Sequence, residues 1–248
     1  MESLMPMTTQ KMILATGQNV DFMIHGLIEF ELFGQKLWIT TTHVSLLIVM
    51  GLIIAFALFV RSKLKAPDET PGLLQSGVEV AIEKLENMVS GVMGSDAAGF
   101  VNYIGSIFVF ILISNISGLF GLRPPTADFG VTLPLGLMTF LIIQFQNIKC
   151  NKVGALTGLF EPLPFLFPIN LIGEVAVPFS LGLRLFGNVL SGTVIMALFY
   201  GLVPVLLKLG VVPAVLHAYF DVFSGCIQTY VFCMLTMTYI SDQFGDKE

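Results

Sequence analysis

VAVPFSLGLRLFGNVLSGTVIMALFYGLVPVLL, residues Val175–Leu207, carries one charge, Arg184, in a run long enough to cross a bilayer. Hydrocarbon about 30 Å thick needs about 20 apolar residues rising 1.5 Å each. Pro178 and Pro204 suggest a helix running between them. After Lys208, Pro213 opens a second run that continues to Ile240, where Ser241 and Asp242 end it. Each run of about 26 to 28 residues makes roughly 40 Å of helix, so both must tilt strongly, bend or protrude.

Three further stretches qualify upstream. Trp38–Val60 is interrupted only by His43 and ended by Arg61. Phe100–Leu122 and Phe129–Ile148 are joined by the short connection Arg123–Asp128 and read as a helical hairpin. Pro134 sits near the start of its helix, where a missing N–H is harmless. The composition agrees with five spans. Of 248 residues, 55% are hydrophobic and 12% charged, and the mean hydropathy is +0.86. A soluble fold of this size needs a charged shell that this chain lacks. The expected class is an all-α integral membrane protein with about five embedded helices, residues 1–248 forming a single membrane domain. Its parts are an outer N-terminal segment (1–37), a first span (38–60), a surface helix (73–93), a helical hairpin (100–148) and a tilted helix pair (170–240).

Several functions are set aside. The 12 Lys and Arg are scattered, so no nucleic-acid surface is indicated. Cys150, Cys226 and Cys233 lack metal or disulfide spacing, and no GxxxxGK[ST] sequence offers a nucleotide site. No cofactor or metal is expected. With Glu2 and no basic segment before the first apolar residues, nothing resembles a cleaved signal, and the first span is expected to stay.

Between the first two spans, Pro67–Gly72 break the chain ahead of an amphipathic helix. Leu74, Val78, Ala81, Ile82, Leu85, Met88, Val89 and Val92 keep a helical period, with Glu79, Glu83 and Glu86 opposite. An acidic face fits contact with another protein or a solvated linker, whereas a lipid-seeking helix is usually basic. Arg61, Lys63, Lys65 and Lys84 in one loop, and Lys149 and Lys152 in another, place those loops in the cytoplasm. The N-terminus is then outside and the C-terminus inside, with Arg123 a minor counterexample.

A charge at the centre of a span costs roughly 2.5 to 3.5 kcal/mol on insertion scales. Arg184 has no acid one turn away, since positions 180, 181, 187 and 188 are Ser, Leu, Gly and Asn. Its partner must come from another helix, with Asp221 and Glu174 as candidates, or from another protein. Ser180, Gly187, Asn188 and Ser191 share its face, small enough for close helix approach. On the last helix His217, Asp221, Ser224, Gly225 and Gln228 form a second polar stripe. Asn170 and Glu174 lead to Arg184 from the opposite surface. Titratable groups thus approach a fixed cation from both sides. A guanidinium does not release a proton, so the carriers would be Asp221, Glu174 or His217. His217 reads equally as an interfacial residue, and Gln228 equally as a helix-to-helix hydrogen bond. Ser180, Ser191, Thr193, Ser224 and Asn115 are expected to line the path.

SLGLRLFGN (180–188) closely resembles the signature of subunit a of F-type ATP synthases. SGCIQTYVF resembles that family's last-helix motif, SNISGLFGLRPPTADFGVTL its middle turn, and PGLLQSGVEVAIE its surface helix. The resemblance covers nearly the whole chain in order. It implies a stator beside a rotating c-ring, with Arg184 facing the ring carboxylates and Asn188 and Gln228 near it. Protons, with sodium as the alternative, would pass through two half-channels to drive ATP synthesis in a separate head. It also implies peripheral stalk subunit b, other ATP synthase subunits and membrane lipid as partners. The location implied is a bacterial cell membrane, with an energy-transducing organelle membrane as the alternative. Several relatives carry a Glu five residues after the Asn and a His seven before the Gln, where this chain has Thr193 and Asp221. A carboxylate has moved between helices, so Asp221 is the main outer-path candidate. An independent transporter is the rival reading, but no internal repeat of SLGLRLFGN is present.

Overall fold

The computed structural model describes residues 12–13, 19–20, 26–32, 35–64, 72–151, 164–202 and 211–244. Lys65, Pro67, Lys152, Pro204 and Lys208 lie outside them. Two antiparallel strand pairs come first, β1 (Met12–Ile13) with β2 (Asn19–Val20) and β3 (Gly26–Leu32) with β4 (Gln35–Thr40). The rest of the regular structure among the described residues is helical. Five helices are long and apolar enough to cross a membrane: Thr41–Lys63, Val101–Phe120, Phe129–Asn151, Phe167–Leu202 and Val211–Phe244.

The chain passes from β4 straight into α1 (Thr41–Lys63). Trp38, the expected start of the first span, lies instead in a strand, because its backbone finds partners on β3. Apolar content alone does not separate a strand from the end of a helix. His43 interrupts the apolar run for a local reason: its Nδ1 lies 2.7 Å from Thr40 Oγ1 and accepts the Thr40 N–H at 3.3 Å, closing the first turn. Arg61 and Lys63 occupy the last turn, where cations suit the helix dipole.

The surface helix is α2 (Leu73–Met93), ended by Gly94 at a φ of 62°. Val89 and Met93 are buried against the bundle and Leu85, Met88 and Val92 pack beside them. Leu74, Val80 and Ile82 in the other half stay exposed. Its apolar face is thus only half covered within this chain.

Helix α3 (Val101–Ile116) runs into a 3-10 turn, Ser117–Phe120. The connection after it is buried at Pro124, Pro125, Thr126 and Ala127, and so forms a wall of the bundle. Asp128 then starts α4 (Phe129–Asn151), its Oδ1 accepting the Gly130 N–H at 2.8 Å.

Helix α5 (Phe167–Leu202) has 36 residues and continues through Pro178, its expected start. Pro178 is buried against α4, and its missing N–H leaves the Glu174 carbonyl without its usual intrahelical donor. At roughly 54 Å it cannot stand upright within the hydrocarbon. The last span comprises α6 (Val211–His217), a π-helical segment Ala218–Phe223, and α7 (Ser224–Ser241).

The core joins Ile104, Ile107 and Ile111 of α3 and Ile143 of α4 to Leu181 and Leu185 of α5 and Phe232, Met237 and Ile240 of α7. Helix α1 is peripheral, with Leu52, Ile54, Phe56 and Leu58 facing outward. Helices α4 and α5 meet backbone to backbone. A Cβ on Gly136 would lie 2.5 Å from the Pro178 carbonyl oxygen, and one on Gly182 would lie 3.1 Å from Leu133 Cα. Neither neighbour is a flexible tip that could yield. Gly136→Ala should therefore lower the thermal stability of the purified protein by about 1 to 3 kcal/mol, the usual range for overpacking. Gly77→Ala, in open space on α2, should not lower it. Equal melting of both variants would refute the close crossing.

Candidate functional site

Arg184 projects from the exposed face of α5, and among the described residues it forms no hydrogen bond or ion pair. Ser180, Gly187 and Ser191 share this exposed face, and no atom lies within 4 Å of a Cβ built on Gly187. Both acids weighed as its partners are engaged elsewhere. His217 Nδ1 lies 2.7 Å from Asp221 Oδ2, and Gln144 Nε2 donates to Glu174 Oε2 at 3.1 Å. The guanidinium therefore has no counter-charge from these acids, and its face is bare.

Two cavities open at opposite ends of α5. The larger, about 330 Å3, is lined by Asn115, Arg123, Asn188, Thr193, His217 and Asp221 among others. Its floor depends on the π-helical segment. Widening one turn from four to five residues rotates the rest of the helix about its axis, and such segments recur at functional sites. Here His217 and Asp221 precede the return to α-helix at Ser224. Ser224 Oγ donates to Asn188 Oδ1 at 2.9 Å, tying α7 to α5 one turn beyond Arg184. Asn115, buried at the end of α3, donates to the Gly225 carbonyl at 3.2 Å and accepts the Thr126 hydroxyl at 2.7 Å. A Cβ on Gly225 would come within 2.9 Å of Asn115 Cβ, so only glycine admits this contact.

The remaining candidates divide by what their polar atoms do. Thr193 turns its hydroxyl back to the Val189 and Leu190 carbonyls at 2.8 and 2.9 Å, leaving mainly its methyl and oxygen lone pairs to the cleft. Ser191 likewise donates to Asn188 O. Gln228 is buried and its Nε2 has no hydrogen-bond partner among the described residues. An unpaired buried amide costs about 1 to 3 kcal/mol, so a neighbour outside this chain would relieve it.

The smaller cavity, about 80 Å3, is lined by Gln144, Asn147, Glu174, Tyr239 and Gln243 with apolar neighbours. Along α5, Glu174 and Thr193 are roughly 28 Å apart at 1.5 Å per residue, with Arg184 about midway. Measured along α5, the bare cation thus stands between the two cavities.

Four residues of this region escaped the sequence reading. Gln144 and Asn147 had a usable signal, two amides one turn apart inside a span, where polar side chains are scarce. Arg123 reads from sequence only as a charge on an outer loop, because burial of that loop is not visible in its composition. Tyr200, whose hydroxyl lies 3.2 Å from His217 Nε2, gave no signal, since a tyrosine near a helix end reads as an interfacial aromatic.

Comparison with known proteins adds an independent line. The family model described as ATP synthase A chain matches residues 43–241. The chain is 38% identical over 229 residues to the "ATP synthase subunit a, sodium ion specific" of Propionigenium modestum, covering 85% of this chain and 76% of that protein. It is 34% identical to the ATP synthase subunit a of Desulforamulus reducens, covering 84% and 80%. For the Moorella thermoacetica subunit a the identity is 32%, covering 82% and 90%.

Proposed function

The chain belongs to the ATP synthase A chain family, and on that premise we propose that it passes protons through two half-channels to and from a rotor c-ring, coupling ion flow to ATP synthesis. As a subunit a it is an ion-translocating component of the membrane sector and not a catalyst by itself. The observation that carries the proposal is Arg184, bare on the exposed face of α5 between two cavities, one lined by His217 and Asp221 and the other by Glu174.

In this reading residues 1–248 act as one membrane domain. Arg184, Ser180 and Ser191 face the rotor, with Asn188 and Gln228 beside them. Asp221 and His217, lined by Thr193, Ser224 and Asn115, serve one half-channel, and Glu174 serves the other. The basic helix ends Lys63 and Lys149 lie on the Glu174 side, which the positive-inside bias assigns to the cytoplasm of a bacterial cell. The N-terminus is then outside. The acidic, half-covered α2 is the seat for peripheral stalk subunit b. Sodium is the alternative ion, favoured by the sodium specificity in the name of the Propionigenium relative.

Crosslinking in native membranes tests this arrangement. A single cysteine replacing Gly187 should join the chain to a rotor subunit, and one replacing Glu79 or Glu83 to a stalk subunit. Cysteines replacing Lys63 or Lys149 should be labelled only from the cytoplasm. Capture of lipid alone at Gly187 would remove the rotor face.

A further inference from the structure

His217 and Asp221 line the larger cavity, and beside it they continue a hydrogen-bonded chain whose outer member, Tyr200, the reading above does not use. Tyr200 lies roughly 24 Å along the axis of α5 from Arg184. Its hydroxyl is 3.2 Å from His217 Nε2, and His217 Nδ1 is 2.7 Å from Asp221 Oδ2. The tyrosine and imidazole rings stand 6.2 Å apart, tilted by 40°. Side-chain exposure falls from His217 to Asp221. Tyr200 is 36% exposed, and the side chains of His217 and Asp221 are 35% and 22% exposed. The second oxygen of Asp221, Oδ1, faces Gly118, where a Cβ would lie 3.7 Å away. The carboxylate therefore presents one oxygen to the imidazole and the other to the bare edge of a glycine.

The geometry points to a proton wire with Tyr200 as its outermost member, through which this chain takes up protons and not sodium ions. The inference rests on the ion-path reading above and specifies its ion. The wire works by exchange of equivalent bonds. The Tyr200 hydroxyl gives its proton to His217 Nε2 while its oxygen takes one from water on the exposed side, so no phenolate accumulates. His217 gives its Nδ1 proton to Asp221 Oδ2. The neutral carboxyl turns about its Cβ–Cγ bond and gives that proton to water on the Arg184 side, from which a rotor carboxylate takes it up. The imidazole, left with its proton on Nε2, returns to the starting tautomer by exchange with water. One proton has entered at Tyr200 and one has left at Asp221, with no other change.

A sodium ion has no equivalent route along this wire, because an imidazole passes on protons and cannot hand on a metal cation. The charged and titratable groups facing the wire are few. Arg123 lines the same cavity from the connection between α3 and α4, and apart from it and Asp221 no Lys, Arg, Asp or Glu among the described residues lines it.

The test uses the complete synthase complex in sealed vesicles, with assembly confirmed by its rotor content. Tyr200→Phe keeps the ring and deletes the hydroxyl. It should slow proton-driven ATP synthesis about tenfold, somewhat less than a positioned acid or base usually supplies because water partly substitutes. His217→Gln should cost a similar factor, and the double variant should be no slower than the worse single one, because both interrupt one wire. A sodium gradient at clamped pH should drive no synthesis by the unmodified complex. Normal rates in Tyr200→Phe, multiplying losses in the double variant, or synthesis driven by sodium would each overturn the wire. Asp221→Asn separates this from the wider reading. If it stops synthesis while Tyr200→Phe does not, only the wire fails; if it leaves synthesis intact, the ion path itself fails.

Discussion

Arg184→Ala is expected to abolish ATP synthesis while leaving the assembled membrane sector passively leaky to ions. The guanidinium has no hydrogen-bonding or ionic partner among the described residues, so deleting it orphans nothing within the chain and assembly should survive. What disappears, on the proposed reading, is a fixed charge on the surface that meets the rotor. A cation favours the ionised form of an approaching carboxylate, so on that reading each rotor acid would lose the group that makes it release its ion. On the same reading the charge would bar direct passage between the two cavities. The membrane potential is worth about 2.3 kcal/mol per charge per 100 mV, and a leak here would dissipate it without turning the rotor. Arg184→Lys should rescue poorly, because an ammonium lacks the planar fork and loses its proton more readily when desolvated. Vesicles containing the variant complex would be assayed for synthesis and passive flux together. Near-normal coupled synthesis would sink the mechanism.

Asp221→Asn should lower proton-driven synthesis by about 100-fold, the lower end of what a well-placed proton carrier contributes. The amide keeps the shape of the carboxylate, and its oxygen still accepts the His217 Nδ1–H now 2.7 Å away. Stability should therefore fall by only about 1 kcal/mol, the net worth of a typical hydrogen bond. A purely structural Asp221 would give the reverse pattern, a lower melting temperature with unchanged turnover. Thr193→Glu in the Asp221→Asn background returns a carboxylate to the same cavity and should restore part of the rate. Failure of that rescue with an intact complex would confine the role to position 221. Glu174→Gln should act more weakly, since Glu174 is already hydrogen-bonded by Gln144 and shares its cavity with Asn147 and Gln243.

Much of this chain is legible without any coordinates. A run with one charge between Val175 and Leu207 has few solutions in hydrocarbon, because every backbone N–H and C=O must be satisfied within the segment. Class, span number and the polar stripes of the last two helices derive from that constraint. SLGLRLFGN supplied the family, and its glycines divide in the structure: Gly182 is pressed on Leu133, whereas Gly187 faces open space.

Only the tertiary structure decided which polar groups meet. Sequence left Arg184 free to pair with Asp221 or Glu174, and the fold gave those acids to His217 and Gln144 instead. It also put Trp38 in a strand, carried α5 through Pro178, and inserted a π-helical segment just before Ser224. The physical reason is common to all. Helical periodicity fixes which side chains share a face, but the rotation and crossing of each helix against its neighbours depend on contacts far apart in sequence, such as Gly136 on Pro178 and Asn115 on Gly225. Those contacts determine whether a charge within a span finds its partner inside the chain or is left on an exposed face.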